Sequence, residues 1–416
     1  MKRDLIKQMK NEWRENIWLL LELLIVLLSV WALVIGTYMS VSAYLQPRGF
    51  SADNVYKMTV KHVNEESPLY VDFGEELAAK KGEDMLALIT RIRKSPYVEA
   101  AAFSNNGLPY QYSYMGNGLK VNGDTIDFNG NWREVSPDMV RVLKYESLNG
   151  VSADRMEALL KKGELLLASS KEYDKIRDPR KLLGAALFLG NDSARMYTSH
   201  VLINNVRRSD FEESWGGSMI CPINEEEIAS GKYTNVWEIA VRLKPGTESK
   251  FLDEFRNDRS MQIHRNIYLG QPQSLMKIRD TAQRTDMMRL RMLTGGAVCL
   301  MIMVFIGLLG TFWYRIRHRE SEIAIRKVNG ATSGDIFRRL ISEGMLLVIF
   351  AMVIAIILAA FYLRTDLVPQ TDTFVETTII SGFIALAIML IVVVAGISIP
   401  ARFAMRIEPA VALKDE

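Results

Sequence analysis

Four apolar stretches constrain this chain of 416 residues more than any other feature. They are Leu23–Leu45, Thr294–Tyr314, Gly344–Leu363 and Thr377–Ala401, and none contains Asp, Glu, Lys, Arg or His. A spanning helix needs about 20 mostly apolar residues. A buried core helix could imitate one such stretch but not four, so we predict an integral membrane protein. The first stretch is longer than the core of a signal peptide and lacks a clean cleavage site, so we expect a retained anchor.

Basic residues beside the spans predict the topology, because cytoplasmic flanks carry an excess of Lys and Arg. The basic residues on one side are Lys2, Arg3, Lys7, Lys10 and Arg14, then Arg315, Arg317, Arg319, Arg326, Lys327, Arg338 and Arg339. The link between spans three and four holds Arg364 against Asp366, Asp372 and Glu376. We therefore expect both termini in the cytoplasm and a large region, from about Gln46 to Arg291, on the other side.

The region between spans one and two has the periodicity of a folded α+β domain. Asn54–Val63 is predicted as a strand, Glu83–Lys94 as a helix and Val98–Ser104 as a second strand. Ser136-Pro137-Asp138 is typical of a helix start, with Val140 and Leu143 facing inward. Later, Asn235–Leu243 is predicted as a strand and Thr247–Asn257 as a helix. This order favours two subdomains, one built from non-contiguous halves, although a single larger domain also fits.

Two further segments have helical composition. Gln273–Leu293 contains no Gly or Pro and leads into span two, so it predicts either a continuous stalk or an amphipathic helix resting on the outer domain. The first residues are basic and helical, which is typical of an interfacial helix. Glu22 lies at the start of the first apolar run, where a charge costs less than at the bilayer centre. The other spans hold no ionisable group, which argues against proton-coupled transport.

The predicted fold is an α-helical membrane domain of four transmembrane helices with a large α+β extracytoplasmic domain between helices one and two. Its predicted segments are an interfacial helix 1–16, span one 17–45, outer domain 46–272, stalk 273–293, span two 294–314, cytoplasmic elbow 315–343, span three 344–363, outer loop 364–376, span four 377–401 and a cytoplasmic tail 402–416.

Several kinds of chemistry lack support in the residue pattern. His62, His200, His264 and His318 show no metal-ligand spacing, so we expect no metal site. Cys221 and Cys299 fall in the outer domain and in span two, which makes an intrachain disulfide improbable. No basic-aromatic pattern indicates nucleic-acid binding. The phosphate-binding pattern Gly-x-x-x-x-Gly-Lys-Ser/Thr does not occur, and we expect no room for such a domain before span one.

The most informative segment is the predicted elbow. Arg319–Val328 is predicted to extend span two as a helix, to turn at Asn329-Gly330, and to restart with Thr332 or Ser333 as a cap. The string Glu322-Ile-x-Ile-Arg326-Lys327-x-x-Gly330-Ala331 resembles the signature of the permease subunits of MacB/FtsX/LolC-type ABC transporters. The ending Pro400-Ala401-Arg402-x-Ala404-x-Arg406 is similar to that family's C terminus. His318-Arg319 departs from the Glu-Arg pair that often precedes the family's elbow.

This resemblance implies that the elbow docks on a separate ATP-hydrolysing subunit, present in two copies, which would hold ATP and Mg²⁺. This chain would then be no enzyme and carry no cofactor. The residues expected to carry the coupling are Glu322, Ile323, Ile325, Arg326, Lys327, Gly330, Ala331, Ile336 and Phe337. Topology and lipid contact are an alternative role for Arg326 and Lys327. Further implied partners are a second permease subunit, identical or related, a periplasmic adaptor and membrane lipid, in the inner membrane of a bacterium.

Three functions of such proteins stay open from the resemblance. The first is efflux of peptides, antibiotics or other amphiphiles from the periplasm, which the size of the outer region favours. The second is lipoprotein release of the LolC kind, and the third is regulation of a cell-wall hydrolase of the FtsX kind without transport. A receptor with an extracellular sensor is a different class, but 315–343 is too short for a cytoplasmic output module.

Overall fold

The computed structural model describes residues 13–111, 116–121, 124–168, 179–189, 192–211, 218–231, 236, 238–365 and 372–406. These residues fall into two compact units. The first combines Met1–Ser42 with Met287–Glu416, and the second is Ala43–Asp286. We refer to them as the membrane unit and the α+β unit.

Helices and strands follow in chain order. The helices are α1 (Trp13–Leu45), α2 (Leu77–Lys94), α3 (Met139–Leu143), α4 (Ala153–Lys161), α5 (Glu225–Ala229), α6 (Glu248–Asn257), α7 (Arg259–Gln262), α8 (Leu275–Ala282), α9 (Arg284–His318), α10 (Glu320–Val328), α11 (Ser333–Tyr362) and α12 (Asp372–Ala404). The strands are β1 (Val55–His62), β2 (Val98–Asn105), β3 (Gly116–Val121), β4 (Asp124–Val135), β5 (Leu165–Ala168), β6 (Leu187–Leu189), β7 (Asp192–Tyr197), β8 (Ser199–Ile203), β9 (Ser218–Pro222), β10 (Glu238–Leu243), β11 (Ile263–His264), β12 (Ile267–Leu269) and β13 (Gln273–Ser274). Short 3₁₀ helices cover Gly74–Glu76 and Pro179–Leu182.

The α+β unit is built on one mixed sheet. Its main path runs β11-β12-β1-β10-β2-β4-β3-β6-β7 through antiparallel pairs, and β13 pairs with β1. A branch adds β9 parallel to β4, then β5 antiparallel to β9 and β8 parallel to β5. The predicted strand-helix-strand segment is β1, α2 and β2, and the later strand-helix segment is β10 and α6. Because β1, β10 and β2 are adjacent, these non-contiguous segments share one part of the sheet.

The helical spacing in the α+β unit explains its packing. Met85, Leu88, Ile89 and Ile92 of α2 repeat at three and four residues and are fully buried against the sheet. Phe251 and Phe255 of α6 join the same core. Burial of one such side chain contributes about 1.5–3 kcal/mol. Residues 43–286 form one compact unit.

Among the described residues, the membrane unit contains four helices that are long and apolar enough to cross a membrane, within α1, α9, α11 and α12. Their buried faces form one apolar core with the elbow. Trp31 Nε1 of α1 donates to Thr378 O and Ser381 Oγ of α12, each at 3.2 Å. A Cβ on Gly344 would lie 2.1 Å from Ile397 Cδ1, so α11 and α12 approach closely because residue 344 has no side chain.

The predicted continuous stalk over 273–293 differs from the structure. Residues 273–274 are strand β13, α8 ends at Ala282, and Gln283 separates α8 from α9 with φ −93° and ψ 3°. Leu275 lies in the core of the α+β unit, and Met276, Ile278 and Ala282 pack against it. Tertiary packing therefore sets the position of α8, which composition alone does not reveal.

Other predicted boundaries also differ. Helix α3 begins at Met139, after Ser136-Pro137-Asp138, because the Ser136 hydroxyl accepts a hydrogen bond from Phe103 N across the sheet and does not cap the helix. Residues 13–16 of the predicted interfacial helix belong to α1, and 1–12 lie outside the described residues. So do Asn235, residues 366–371 of the outer loop and residues 407–416 of the tail, while 372–376 belong to α12.

Candidate functional site

The predicted elbow is a separate helix rather than an extension of span two. Helix α9 ends at His318, and Arg319 leaves the helical conformation with φ −113° and ψ 19° before α10 begins. The change of direction lets Ile323 and Ala324 enter the apolar core, where they are 6% and 0% exposed. Burial of this face holds α10 against the helices of the membrane unit.

The turn after α10 requires a glycine. Gly330 has φ +91°, and its N–H donates to Lys327 O while Ala331 N donates to Arg326 O, each at 3.0 Å. These two bonds are the Schellman arrangement that ends a helix on a left-handed residue. A Cβ at this position would meet no atom, so the requirement lies in the backbone and not in packing.

The next helix starts two residues later with a capping box. The Thr332 hydroxyl accepts from Asp335 N at 3.2 Å, and the Asp335 carboxylate accepts from Thr332 N at 3.1 Å. The two side chains thereby satisfy backbone donors that a helix start leaves free. Thr332, of the two predicted residues, is the cap of α11. The Schellman turn and the capping box together define the geometry of the elbow from Arg326 to Asp335.

Helix α10 has one face that is exposed and apolar. Ile325 and Val328 are three residues apart, and their side chains are 51% and 65% exposed. Asn329 and Gly330 are also exposed beside them. Ile323 and Ala324 of the same helix are buried, so the exposed pair lies on a helix that is packed against the membrane unit. We call Ile325, Val328 and Gly330 the elbow patch.

The charged residues of α10 are paired within the chain. Arg326 Nε and Nη2 donate to Glu322 Oε1 at 3.0 and 2.7 Å, an i,i+4 pair. Burial raises the pKa of Glu322, but the hydrogen bond from Arg326 and the positive charges of Arg326, Arg319 and Arg339 together hold that pKa below its usual value. Lys327 Nζ donates to Met405 O at 2.7 Å, just beyond the end of α12. A cation there also interacts favourably with the helix dipole.

A buried carboxylate joins the helices beneath the elbow. Glu343 of α11 accepts from Arg319 Nη1 at 3.1 and 3.3 Å and lies 3.5 Å from Arg315 Nη1. Its side chain is 8% exposed, and those of the two arginines are 13% and 18% exposed. The arrangement ties the end of α9, the break at Arg319 and the start of α11 to one another.

The predicted coupling residues thus occupy different positions. Ile325 and Gly330 are exposed, whereas Ile323 and Ile336 are buried and Phe337 packs against the same core, so these three position the elbow. The other predicted residues are partly exposed: Glu322, Arg326, Lys327 and Ala331. Sequence reasoning missed Val328, although its spacing of three residues from Ile325 indicates that both lie on one side of the helix. It also missed Glu343, which precedes an apolar stretch.

The elbow borders a small cavity between α9, α10 and α11, with a volume of about 30 Å³. In the described part of the chain, no three His, Cys, Asp or Glu side chains are arranged to hold a metal ion. What the elbow offers is a rigid, partly apolar surface.

The fold and the elbow define a multi-pass membrane protein with an α+β unit between its first and second apolar helices. Residues 295–409 match the model of the FtsX-like permease C-terminal family. The chain is 27% identical over 280 residues to the probable export ATP-binding/permease protein MacB of Pseudomonas entomophila, covering 59% of this chain and 41% of that protein. It is 30% identical over 180 residues to the probable syringafactin export ATP-binding/permease protein SyfD of Pseudomonas syringae pv. tomato, covering 42% of this chain and 26% of that protein.

These matches identify residues 295–409 as an FtsX-like permease domain and relate the chain to MacB-type permeases. It spans about two fifths of the length of the first curated relatives that it matches. Among solved structures, the periplasmic region of MacB from Actinobacillus actinomycetemcomitans is similar to this chain. The match covers 58% of this chain and 97% of that structure, with 12% identity and a TM-score of 0.32. The extracellular domain of the noncanonic ABC-type transporter YknZ from Gram-positive bacteria has 9% identity and a TM-score of 0.31, over 51% of this chain and 99% of its own.

Proposed function

We propose that this chain is the permease subunit of an ABC exporter and that the elbow patch docks on a separate ATPase subunit. The observation that carries the proposal is the two-sided character of α10. Its inner face is fixed by Ile323 and Ala324, while Ile325 and Val328 stay exposed. A force applied to such a surface reaches α9 and α11 through Glu343 and its arginines, and α12 through Lys327 and the Met405 carbonyl.

The proposed orientation has both termini and the elbow in the cytoplasm of a bacterial inner membrane, with the α+β unit in the periplasm. The basic residues before α1 and around α10 support it, because such residues accumulate on the cytoplasmic side. The exposed elbow patch would then lie where a cytoplasmic ATPase can reach it. A cysteine introduced at Leu69, which is 65% exposed, should react with an impermeant thiol reagent from the periplasmic side.

ATP would be hydrolysed by a partner chain. The names of the relatives combine ATP binding with a permease, whereas this sequence contains no Gly-x-x-x-x-Gly-Lys-Ser/Thr pattern. We propose two ATPase copies, which hold the ATP and Mg²⁺, and two permease subunits, identical or related, with a periplasmic adaptor outside. ATP must bind the closed arrangement more tightly than the open one, or no conformational change is driven.

The proposed work is mechanical and is done on the α+β unit, to expel peptides, antibiotics or other amphiphiles from the periplasm. Two relatives are named for export, one of them for syringafactin. The apolar spans offer few polar side chains to a hydrophilic substrate, which favours coupling through the outer unit over passage through the membrane unit. Release of lipoproteins and control of a cell-wall hydrolase remain the alternative outputs of the same coupling.

Co-purification tests the docking surface. The full-length chain is purified in detergent from its host, and the vanadate-sensitive ATPase activity that accompanies it is compared with that of the double variant Ile325→Glu/Val328→Glu. We expect the variant to lose at least about nine tenths of the activity, because two buried charges at an apolar contact each cost several kcal/mol. The variant should keep the monodispersity of the wild type.

The matched control is Leu69→Glu, which makes the same kind of change at an exposed apolar residue of the α+β unit. It should retain the accompanying ATPase. If the wild type brings down no ATPase, or if Ile325→Glu/Val328→Glu retains it fully, the elbow patch is not a docking surface and the proposed function is wrong.

A further inference from the structure

The two points where the chain enters and leaves the α+β unit are fastened to the same loop. The inbound segment, 44–50, begins with the last two residues of α1, and the outbound helix is α8, which precedes α9. Between them lies a loop at 204–211, here named the bridging loop. The inbound segment and the outbound helix are more than 220 residues apart in sequence, so only tertiary contacts within the α+β unit can hold both to one loop.

The inbound segment packs against the backbone of the bridging loop. Arg207 N donates to Arg48 O at 3.3 Å, and Arg207 Nη1 donates to Gln46 O at 3.2 Å. Gly49 has φ +76°, and a Cβ on it would lie 2.2 Å from Asn205 O. The approach of these two backbones is therefore possible only because residue 49 is a glycine.

The outbound helix is held by one carboxylate of the same loop. Asp210 is 1% exposed, and its Oδ2 accepts from Arg279 Nε at 2.7 Å. Its Oδ1 accepts from the Tyr110 hydroxyl at 3.0 Å and lies 3.4 Å from Arg48 Nε of the inbound segment. Asp210 thus contacts both crossings at once. Arg279 Nη2 also donates to the Tyr44 hydroxyl at 3.3 Å.

The bridging loop is anchored in turn to the sheet. Buried Arg133 of β4 donates to Val206 O at 3.1 Å, and Ser218 Oγ of β9 donates to the same carbonyl at 3.2 Å. Tyr110 N donates to Arg208 O at 2.8 Å, and Tyr110 itself has φ +63°. A non-glycine residue in this conformation persists where its surroundings determine it strongly. The loop is therefore part of the rigid body of the α+β unit.

We propose that Asp210 is the positioning residue of a joint in which the bridging loop makes the inbound segment and the outbound helix move as one body with the sheet. A displacement of either chain crossing would then reach the whole α+β unit instead of being absorbed by local bending. What drives the displacement rests on the proposed function, but the joint is a property of this chain alone.

Hydrogen–deuterium exchange of the full-length chain in detergent tests the joint. In Asp210→Asn, amide exchange should become about 100-fold faster in both the inbound segment and the outbound helix, as expected when buried charged partners lose their counterpart. The control Glu157→Gln also removes a buried carboxylate with two cationic partners, Arg141 and Lys161, but touches neither crossing. It should leave both segments within about twofold of the wild type.

A second pair of variants tests the joint if Asp210→Asn fails to fold. Gly49→Ala forces a Cβ against Asn205 O, so it should speed exchange in the outbound helix, which Gly49 does not touch. Gly246→Ala imposes the same left-handed strain, at φ +75°, with no atom within 4 Å, and should leave that helix unchanged. Faster exchange in only the segment that carries the altered contact would overturn the joint.

These measurements need no ATPase. Failure of the co-purification experiment would therefore remove the proposed function and leave the joint standing, whereas independent loosening of the two segments would remove the joint alone. Where an ATPase does co-purify, Asp210→Asn should retain it, because the elbow lies in the other unit.

Discussion

Each unit of the molecule contains a buried carboxylate that faces two arginines, and the two sites are assembled differently. Around Glu343, Arg315 lies in the last turn of α9 and Arg319 at the break that follows it, and the carboxylate is on the next long helix. Around Asp210, the partners come from residues 48, 110 and 279, on three separate segments. The first site sets a local angle between neighbouring helices, whereas the second closes a loop of more than 200 residues.

The difference shows which kind of contact keeps each unit rigid. The elbow is defined by short-range devices, the Schellman turn at Gly330 and the capping box at Thr332, to which Glu343 adds one longer contact. The α+β unit depends on contacts between distant segments, so loss of one of them should affect a larger part of the structure. The following predictions rank the two kinds of site.

The largest effect is expected at Asp210. Asp210→Asn leaves two arginines without their carboxylate, one of them 11% exposed, and should lower the free energy of unfolding of the α+β unit by about 3 kcal/mol. The slowest-exchanging amides of β10 in the full-length chain report this quantity. If Asp210→Asn lowered the free energy of unfolding by less than Glu343→Gln does, the order of the two sites would be reversed.

A smaller effect is expected at Glu343. Glu343→Gln should lower the stability of the α10–α11 region by about 2 kcal/mol, the size of a charge-assisted hydrogen bond that is partly replaced by a neutral one. Hydrogen exchange over 320–345 measures it. Glu320→Gln serves as the control, because the side chains of Glu320 and its partner Arg317 are 30% and 57% exposed, so solvent screens this pair more than the buried Glu343 site. Equal effects of the two variants would show that burial of Glu343 is unimportant.

The cap of α11 should contribute about 1 kcal/mol. Thr332→Ala removes the acceptor for Asp335 N and should speed exchange only in the first turn of α11. Ser342→Ala is the matched control, since its hydroxyl donates to Arg338 O within the helix and caps nothing. Spread of the effect into α9 would contradict the local character assigned to the elbow.

The smallest effect concerns pH. The pKa of Glu322 is lowered by Arg326, so its contribution is complete above the unfolded value of about 4.3 and is lost as the pH falls through the lower folded value. The pair is partly exposed, and it should contribute less than about 1 kcal/mol. Exchange in α10 between about pH 3 and 6 should show this loss in the wild type and not in Glu322→Gln. Identical profiles would show that the pair contributes nothing.

Much of the architecture could be predicted from the sequence because its signals are local. Apolar stretches indicated the four helices, and the spacing of Met85, Leu88, Ile89 and Ile92 indicated α2 and its buried face. The turn at Gly330 and the cap at Thr332 were also predicted, since each depends on adjacent residues. The coupling roles of Glu322, Arg326 and the other proposed residues stay predictions.

What the sequence did not reveal depends on long-range packing. The break at Gln283 arises because Leu275 belongs to the core of the α+β unit, and the break at Arg319 accompanies burial of Ile323 and Ala324. The sequence also did not reveal the hydrogen bond that Lys327 donates to a carbonyl 78 residues away. The Asp210 site gave no signal at all, because its partners are scattered along the chain.

The most direct test of the account is a photo-crosslinker placed at Val328, the most exposed apolar residue of the elbow patch. Irradiation of native membranes should join the full-length chain to an ATP-binding protein, while the same crosslinker at Leu69 in the α+β unit should not. Crosslinks from position 328 to lipid or to a second copy of this chain alone would contradict the account, because the elbow would then face no ATPase.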